Sequence, residues 1–337
     1  MNNIIKYCIL AEVRENHDSI LNQENTYNDY VSRKSMIELS QGISSLGLKC
    51  EFIGGMDELL KLSKDIDFKN TIFINYNYGY PSQFKRGQSP IFLEMNHALY
   101  SGSDPFVSLL VNDKYCSKKV ISQNGYKTAN SLLIHSNEDI KYISDSNINT
   151  PIVIKPNTEG SSLGIDNNSY CETYDEAGAQ CLKLLSSFSP LIAEEYITGY
   201  ELTVWIIGNK NNFKLICPLL ISVNNIFYFE SKVITIYDKA NHSRCYSLPQ
   251  NFFSNKIINN LIEISKQIFI DLGMRDYGRL DFRIKDSEIF FIEANALPIF
   301  SKTSEIGEIC KLYDISYEKI CELLIESITE RLMPKTN

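Results

Sequence analysis

The stretch that most limits what this chain can fold into runs from Tyr277 to Pro298. It reads Tyr-Gly-Arg-Leu-Asp-Phe-Arg-Ile, a polar break at Lys285 to Glu288, then Ile-Phe-Phe-Ile-Glu-Ala-Asn-Ala-Leu-Pro. Two β-rich runs around a short polar break predict a hairpin. Side chains alternate across a strand, so Glu293 and Asn295, two apart, leave the same face. A three-residue loop at Asp286 to Glu288 sets Asp281 opposite Glu293, whereas a loop of even length turns Asp281 to the other face unless a bulge intervenes. Two carboxylates and an amide oxygen then converge. This all-oxygen set suits Mg²⁺ that keeps its remaining positions for water and phosphate oxygens. The plain alternative is a surface hairpin whose acids face water. It is weakened because the acids interrupt strongly apolar runs and Arg279 stands two residues before Asp281. Buried like charges need a cation.

With 337 residues, 44% of them apolar, the chain is long enough for two or three subdomains and carries no compositional sign of disorder. Its formal net charge of -8, from 33 basic and 41 acidic residues, argues against a general nucleic-acid or acidic-membrane binder. The nine cysteines are odd in number, scattered and free of any C-x-x-C, so neither a disulfide framework nor a zinc site is indicated. Reduced, buried thiols are expected. The apolar run Ile4 to Ala11 contains Lys6 and is followed by Glu12, Arg14 and Glu15, which predicts a first strand rather than a signal peptide. No run approaches the length of a membrane span, and a cytoplasmic protein is expected.

After a polar loop from His17 to Asn28, residues Met36, Leu39, Ile43 and Leu46 recur at helical spacing within Arg33 to Leu46 and stop at Gly47. Cys50 to Ile53 and Thr71 to Asn75 read as strands of an α/β subdomain that ends near the turn-rich Tyr100 to Asp104. Pro105 to Asn124 reads as one helix containing Lys114. Ser131 to His135 and Pro151 to Pro156 read as strands, Tyr174 to Ser186 as a helix, and Leu191 to Ile207 as two strands about a turn at Thr198-Gly199-Tyr200. Val223 to Ser247 has aromatic runs but no assignable element. Ser254 is placed to cap a helix from Asn255 to Leu272, which Gly273 ends, and Ser304 to Leu312 and Tyr317 to Leu332 read as closing helices.

Lys155 ends a β-branched strand and is followed by the small-residue loop Asn157 to Gly164. Backbone N–H groups at Gly160, Ser161 and Ser162 can cradle phosphate oxygens while Lys155 supplies fixed charge. Such a loop alone is more often a turn, and this one is neither a Walker loop nor a dinucleotide fingerprint. The phosphate reading therefore leans on the metal cluster. Glu194, Glu195 and Glu201 bracket the Thr198 turn, where a carboxylate can accept hydrogen bonds from an adenine amino group or a ribose, or simply be solvated. His242 reads as ordinary, and serine-hydrolase, zinc and histidine-base chemistry lack a supporting constellation.

Taken in order, five segments resemble the motifs of ATP-grasp ligases, D-alanine:D-alanine ligases most closely. They are Asn112-Asp-Lys, Val153-Ile-Lys-Pro-Asn-Thr-Glu-Gly-Ser-Ser-Leu-Gly, Glu194-Glu-Tyr-Ile-Thr-Gly-Tyr-Glu-Leu-Thr-Val, Gly278-Arg-Leu-Asp-Phe and Glu293-Ala-Asn-Ala-Leu-Pro. The resemblance implies an α/β ATP-grasp fold made of α+β subdomains: an N-terminal substrate-side unit at 1–104, a central unit at 105–190 and a C-terminal unit with the magnesium site at 191–337. ATP would lie between the second and third. A substrate carboxylate would attack the γ-phosphorus, and an amine would then displace phosphate from the acyl phosphate. ATP and Mg²⁺, small-molecule carboxylate and amine substrates, and a homodimer are implied with it.

Carried over residue by residue, the resemblance gives Lys114 and Lys155 the phosphates, over which Glu159, Gly160, Ser161 and Ser162 close. Glu194, Glu195, Tyr196 and Ile197 would flank adenine, mostly through backbone, and Glu201 would bind the ribose. Asp281, Glu293 and Asn295 match the magnesium ligands. Arg279 matches the arginine that stabilises charge on the tetrahedral intermediate, with Ser162 and Lys232 as the other catalytic candidates. Ser304 matches the serine that holds the carboxylate of the second amino acid.

The departures lie on the substrate side. Members specific for D-alanine carry a G-G-x-S-x-E-x-x-V-S segment whose glutamate meets the first ammonium. Here a longer loop puts Asn28 near that position, with Glu24 as an acid able to fold back. Asn77-Tyr-Gly-Tyr-Pro stands in for H-G-x-x-G-E-D-G, and the mobile-loop pattern Y-D-Y-E-A-K-Y is echoed either by Phe229-Glu-Ser-Lys232-Val233 or by Tyr237-Asp-Lys239. Ile299 replaces a glycine, and Glu305 replaces an apolar neighbour of Ser304. The expectation is an ATP-dependent ligase joining amino acids or related metabolites other than two D-alanines. Its rivals are a D-alanine:D-alanine ligase with a divergent first site, and a protein that binds ATP only to change shape.

Overall fold

The computed structural model describes residues 5–17, 30–235, 238 and 243–333. They build three sheets. In the first, β1 (Lys6–Leu10) lies between β2 (Cys50–Gly54) and β3 (Thr71–Asn75), with β4 (Leu99–Tyr100) beyond β3, all parallel. Parallel strands covered on both faces need unbroken apolar runs, and Tyr7 to Ala11 and Ile72 to Ile74 are buried throughout. Helices α1 (Arg33–Ser44), α2 (Met56–Leu62) and α3 (Lys85–Met95) belong to this unit. The N-terminus of α1 is capped by Ser32, whose hydroxyl accepts from the Ser35 N–H at 3.1 Å. The sequence gives little sign of α3. It starts at Phe84 without a side-chain cap and contains Pro90, both of which argue against a helix.

The helix expected over 105–124 is two helices, α4 (Pro105–Asn112) and α5 (Lys114–Gln123). Asp113 between them is extended, with φ -85° and ψ 103°, and its carboxylate accepts from the Cys116 N–H at 2.8 Å. One residue thus closes one helix and caps the next, and leaves Lys114 buried at the first position of α5. The second sheet follows, antiparallel in the order β6-β9-β7-β8, from β6 (Ser131–Ile134), β7 (Ile152–Pro156), β8 (Tyr170–Cys171) and β9 (Leu191–Glu195). The strand Leu191–Glu195 completes this central sheet, so the boundary expected at 190/191 falls after it. Helices α6 (Tyr142–Asp145) and α7 (Tyr174–Leu185) pack with it.

The third and largest sheet runs β13-β11-β10-β14-β15-β5, with β12 also on β10. Its strands are β5 (Lys127–Thr128), β10 (Gly199–Asn209), β11 (Asn212–Val223), β12 (Tyr228–Phe229), β13 (Arg244–Ser247), β14 (Asp276–Lys285) and β15 (Glu288–Asn295). Strands β12 and β13 come from the stretch that the sequence leaves unassigned. On one face α8 (Asn255–Asp271) packs Leu261, Ile268 and Phe269 against Leu202, Leu280 and Phe282. On the other, α9 (Glu305–Leu312) and α10 (Tyr317–Leu332) share a core with the first sheet, in which Tyr76, Trp205, Tyr277 and Phe300 stack in edge and offset contacts.

The expected hairpin is β14–β15, but its loop has two residues, not three. Asp286 and Ser287 are both left-handed, at φ 50° and 67°, and Lys285 pairs with Glu288. An even loop alone would set Asp281 against Ile292. A β-bulge between Asp281 and Phe282 makes Ile292 the extra residue, so Asp281 pairs with Glu293 and Arg279 with Asn295 after all. All nine cysteines are free thiols. Cys116 and Cys245 are exposed, a correction to the expected burial. Among the described residues no helix is long and apolar enough to cross a membrane.

The first and third sheets are joined by Asp276, whose side chain is fully buried. It accepts from Arg331 Nε and Nη2 at 2.7 and 2.6 Å and from the Gly102 N–H at 2.8 Å, while Arg331 also donates to the Tyr100 carbonyl at 2.7 Å. Removing one partner of a buried pair leaves an uncompensated charge. Arg331→Ala is therefore expected to lower the unfolding free energy by about 3–5 kcal/mol in urea titration. Lys311→Ala, in an exposed pair with Glu308, should leave the midpoint unchanged.

Candidate active site

Two cavities meet at the β14–β15 hairpin. The first, about 120 Å³, lies between the central and large sheets and has apolar walls at Val153, Ile165, Tyr196, Ile221 and Ile292. The second, about 270 Å³, reaches from Tyr78 and Arg86 of the first unit to Asn295 and Ser304. Arg244, Arg279, Glu293 and Glu305 line both. The chain passes from the central sheet at Glu195 to the large sheet at Gly199, which is why residues 194–197 border the cleft. Only glycine fits at that entry: φ is 139°, and a Cβ would stand 2.4 Å from the Ile284 carbonyl oxygen.

Around the first cavity the structure gathers Lys155, Ser162, Glu194, Glu195, Tyr196, Ile197, Glu201, Arg279, Asp281 and Glu293. The acids do not all do what the sequence leads one to expect. Glu194 lies buried between Lys155 Nζ at 2.6 Å and Lys118 Nζ at 3.3 Å. Burial pushes its carboxyl up, but Lys118 and Lys155 more than offset this and hold it below the usual range. Burial brings Lys118 down to about 8 despite Glu194, whereas on Lys155 the Glu194 and Glu293 charges win and raise it. Glu194 is thus held as a counter-ion between the two lysines. Glu195 is also spent, on the Asn149 N–H and Nδ2 at 2.8 Å each and on Asn130 Nδ2 at 3.1 Å.

Glu201 accepts at Oε2 from Arg283 Nε and Nη2, at 3.1 and 2.7 Å, and its Oε1 has no hydrogen bond among the described residues. Arg283 also donates to the Ile197 carbonyl at 2.7 Å and lies over the rings of Tyr196 and Phe229. Lys118 and Arg283 are the functional neighbours that sequence reading misses. The available signals were the one-turn spacing from Lys114 and the alternation Arg279, Asp281, Arg283 along one strand face.

The second cavity gathers Lys114, Glu159, Gly160, Ser161, Glu293, Asn295, Arg279 and Ser304. In the loop above it Ser161 and Ser162 are left-handed, at φ 53° and 62°, and Ser162 Oγ donates to the Ile234 carbonyl at 2.9 Å. Lys114 Nζ donates to the Glu159 carbonyl and stands 3.9 Å from Glu293, so it touches both the loop and the acid pair. Lys85 holds the Glu159 carboxylate at 2.7 Å from the side of α3. Ser304 caps α9, and its hydroxyl lies 2.7 and 2.9 Å from the Ile299 and Ser301 carbonyls, which share its one proton. Lys232 is the exception. Its side chain lines neither cavity and pairs with Asp238 at 3.0 Å, while its carbonyl accepts from Tyr196 Oη at 2.7 Å and Arg283 Nη2 at 3.3 Å, two residues that line the first. Glu24, Asn28, Tyr237, Lys239 and His242 lie outside the described residues.

Asp281 accepts from Thr203 Oγ1 at 2.7 Å and from Arg279 Nε and Nη2 at 3.1 and 3.0 Å. Burial pushes its carboxyl up, and Glu293 across the ladder adds to this against the pull of Arg279. Asn295 Oδ1 accepts from the Leu297 N–H at 3.0 Å. Among the described residues no three His, Cys, Asp or Glu side chains cluster as a metal site, so the set is two carboxylates and an amide oxygen. Facing acids with oxygen lone pairs to spare fit a small hard cation.

The sequence profile of the family described as "D-ala D-ala ligase C-terminus" matches residues 119–326. Similar sequences include the D-alanine–D-alanine ligase of Pediococcus pentosaceus, 30% identical over 244 residues, which are 72% of this chain and 65% of that protein. The chain thus spans less than two thirds of that relative. The D-alanine–D-alanine ligase of Thermotoga maritima is 24% identical over 304 residues, 88% of this chain and 94% of its own. The solved structure of D-alanine–D-alanine ligase from Bacillus anthracis complexed with ATP matches with TM-score 0.72 at 19% identity, over 97% of this chain and 98% of that one. VanG D-Ala:D-Ser ligase from Enterococcus faecalis matches with TM-score 0.71 at 19% identity, over 96% and 99%. The fold and the cleft between its sheets are those of the ATP-grasp class. The chain belongs to the D-alanine–D-alanine ligase family.

Glu305 gives this site a pH signature. Burial pushes its carboxyl up, yet Arg244 and Arg279 bring it from 4.5 down to about 2. A folded value below the unfolded one adds stability that is complete above the unfolded value and is lost as pH falls toward the folded one. That contribution is about 3 kcal/mol. The stability gap between the wild type and Glu305→Gln should therefore shrink as urea titrations move from about pH 5 to about pH 2.5.

Proposed function

We propose that this protein is an ATP- and Mg²⁺-dependent carboxylate–amine ligase that forms an amide bond through an acyl phosphate, between amino acids or related metabolites other than two D-alanines. One observation carries the reading: a slot sized for a flat base and a larger polar cavity share a wall made of Arg244, Arg279, Glu293 and Glu305. Tyr196 and Ile197 flank the slot, and Glu201 Oε1 is available to a ribose hydroxyl. Lys155, Lys114 and the backbone of residues 159–164 provide positive charge and N–H donors for the phosphates. Bound magnesium, held by Asp281, Glu293 and Asn295, would neutralise phosphate charge. Arg279 donates to the oxygen that gains charge when an amine adds to the acyl carbon. A homodimer and a cytoplasmic location are proposed on family resemblance alone.

The substrate preference rests on the wall that the first unit contributes. Among the described residues that unit puts only Tyr78 and Arg86 into the larger cavity, with the Arg86 guanidinium 3.2 Å from the Tyr78 ring centroid. On that face a first-substrate ammonium meets the Arg86 guanidinium, while the acids that line the cavity, Glu159, Glu293 and Glu305, come from the other units. The rival is a D-alanine–D-alanine ligase with a divergent first site, favoured by the names of the relatives.

Phosphate release from ATP that requires both an acid and an amine is the expected behaviour, and release without either would sink the ligase reading. Glu293→Ala should stay folded and lose phosphate release. Arg279→Ala should lower turnover by roughly 10²- to 10³-fold with ATP affinity little changed. D-alanine alone should be a poor first substrate, by about one to two decades in affinity, from the lost charge-assisted hydrogen bond. Robust D-alanyl-D-alanine formation at millimolar D-alanine would restore the rival.

A further inference from the structure

Resting on the ligase reading, we infer that Arg244 is a catalytic residue of the phosphoryl-transfer step, meeting the γ-phosphoryl group as it passes from ATP to the substrate acid. The route of that group singles the residue out. It starts on ATP in the first cavity and ends on the acid in the second, so it crosses the wall that the two share. Among the described residues Arg244, Arg279, Glu293 and Glu305 line both cavities. Glu293 and Glu305 carry the same sign of charge as the phosphoryl oxygens, which leaves the two guanidiniums to receive them. Arg279 is the proposed donor to the acyl oxygen in the later, amine-dependent step. Arg244 is the cation in this wall that no sequence motif assigns.

The geometry of Arg244 suits the task. It opens β13 and is held at one corner only, with Nη2 donating to Glu305 Oε1 at 2.9 Å. Tyr246 donates to the same oxygen at 2.9 Å and so fixes the acid that fixes the arginine. A guanidinium carries five N–H donors in a rigid fork, and the Nε and Nη1 groups of Arg244 make no hydrogen bond among the described residues. Glu305 thus aims Arg244 without using up its donors. A phosphoryl group in transfer spreads its charge over three equatorial oxygens, and a fork can meet two of them together. Lys232, the loop cation that family resemblance offers for catalysis, is directed elsewhere, with Nζ on Asp238 at 3.0 Å and its side chain lining neither cavity. In the step itself an oxygen of the acid's carboxylate bonds to the γ-phosphorus. The bond from that phosphorus to the β–γ bridging oxygen breaks, and its electron pair leaves with ADP. No proton moves, so Arg244 acts through charge and oriented N–H groups alone.

Positional isotope exchange isolates this step, because it needs ATP and an acid but no amine. ATP with heavy oxygen in the β–γ bridge scrambles that label into the β non-bridging positions each time the acyl phosphate forms and reverts. The acid is the best of a panel of D- and L-amino acids, hydroxy acids and dicarboxylates, ranked by phosphate release with hydroxylamine as the amine. Arg244→Gln should slow the exchange by about 10³-fold or more, the low end of what an arginine contributes to a transferring phosphoryl group, while the dissociation constant for ATP changes little. The plainer role for Arg244 is to neutralise Glu305, and a second variant separates the two. In Glu305→Gln no carboxylate remains to be neutralised, so adding Arg244→Gln costs nothing further if the arginine is merely structural, and costs most of the exchange if it is catalytic. This comparison stands whether or not Arg244→Gln folds alone. A double variant that exchanges as fast as Glu305→Gln overturns the inference and leaves the ligase reading standing, and so does a loss of exchange that saturating ATP restores. If wild type exchanges label with no acid of the panel, the ligase reading fails and this inference fails with it.

Discussion

One extra residue in β15 decides what the rest of the cleft can be. Without the bulge at Ile292, the two-residue turn would pair Glu293 with Leu280, whose side chain is packed beneath α8 with Phe282 and Phe269. A carboxylate would then be driven into an apolar core, at a cost no nearby cation offsets. With the bulge, Phe282 stays opposite Phe291 in that core while Asp281, Glu293, Arg279 and Asn295 turn together into the cleft. The same insertion that relieves the core creates the acid pair. Core packing and site geometry are therefore one constraint, read on the two faces of one hairpin.

The rest of the site neutralises and braces that pair. Lys114 stands 3.9 Å from Glu293 because Asp113 breaks the 105–124 helix one residue earlier. The buried Glu194 ties α5, through Lys118, to β7, through Lys155, so the helix that carries Lys114 cannot drift from the central sheet. The loop at 159–164 is held between Lys114 and Lys85, which belong to different units. Such buried ion pairs add little net stability beside an apolar equivalent, but they admit few alternative arrangements. In this cleft their value is positional.

Much of the site was legible because the signals are local. Alternation along one strand identifies Glu293 and Asn295, and a strand ending in Lys155 before a Gly/Ser loop identifies the phosphate side. The expected facing of Asp281 and Glu293 is present for a different reason than a three-residue loop, since a shorter turn and a bulge offset each other. What was not legible depends on partners far apart in sequence. Glu201 and Arg283 are 82 residues apart, Arg244 and Glu305 61, and Lys85 and Glu159 74. Each pair joins separate elements, so neither composition nor period announces it. Acids that look like ligand contacts, Glu194 above all, become counter-ions once the opposing lysines are in place. Helix α3, hidden by Pro90, took Lys85 and Arg86 out of view with it.

Arg279 shows how the acids of this cleft hold a donor in place. Its guanidinium is held by Asp281 along one edge and faces Glu305 at 3.6 Å on the other, and Arg244 and Tyr246 fix Glu305 in turn. A donor aimed in advance by fixed partners needs little reorganisation when charge develops on a reacting oxygen, and that is the source of most electrostatic catalysis. Its positive charge is, however, already balanced by the acids that aim it. In the proposed reaction the N–H groups of Arg279 that Asp281 does not hold would be the ones offered to a transient oxyanion. Glu305, itself fixed by Arg244 and Tyr246, is part of what holds the arginine ready.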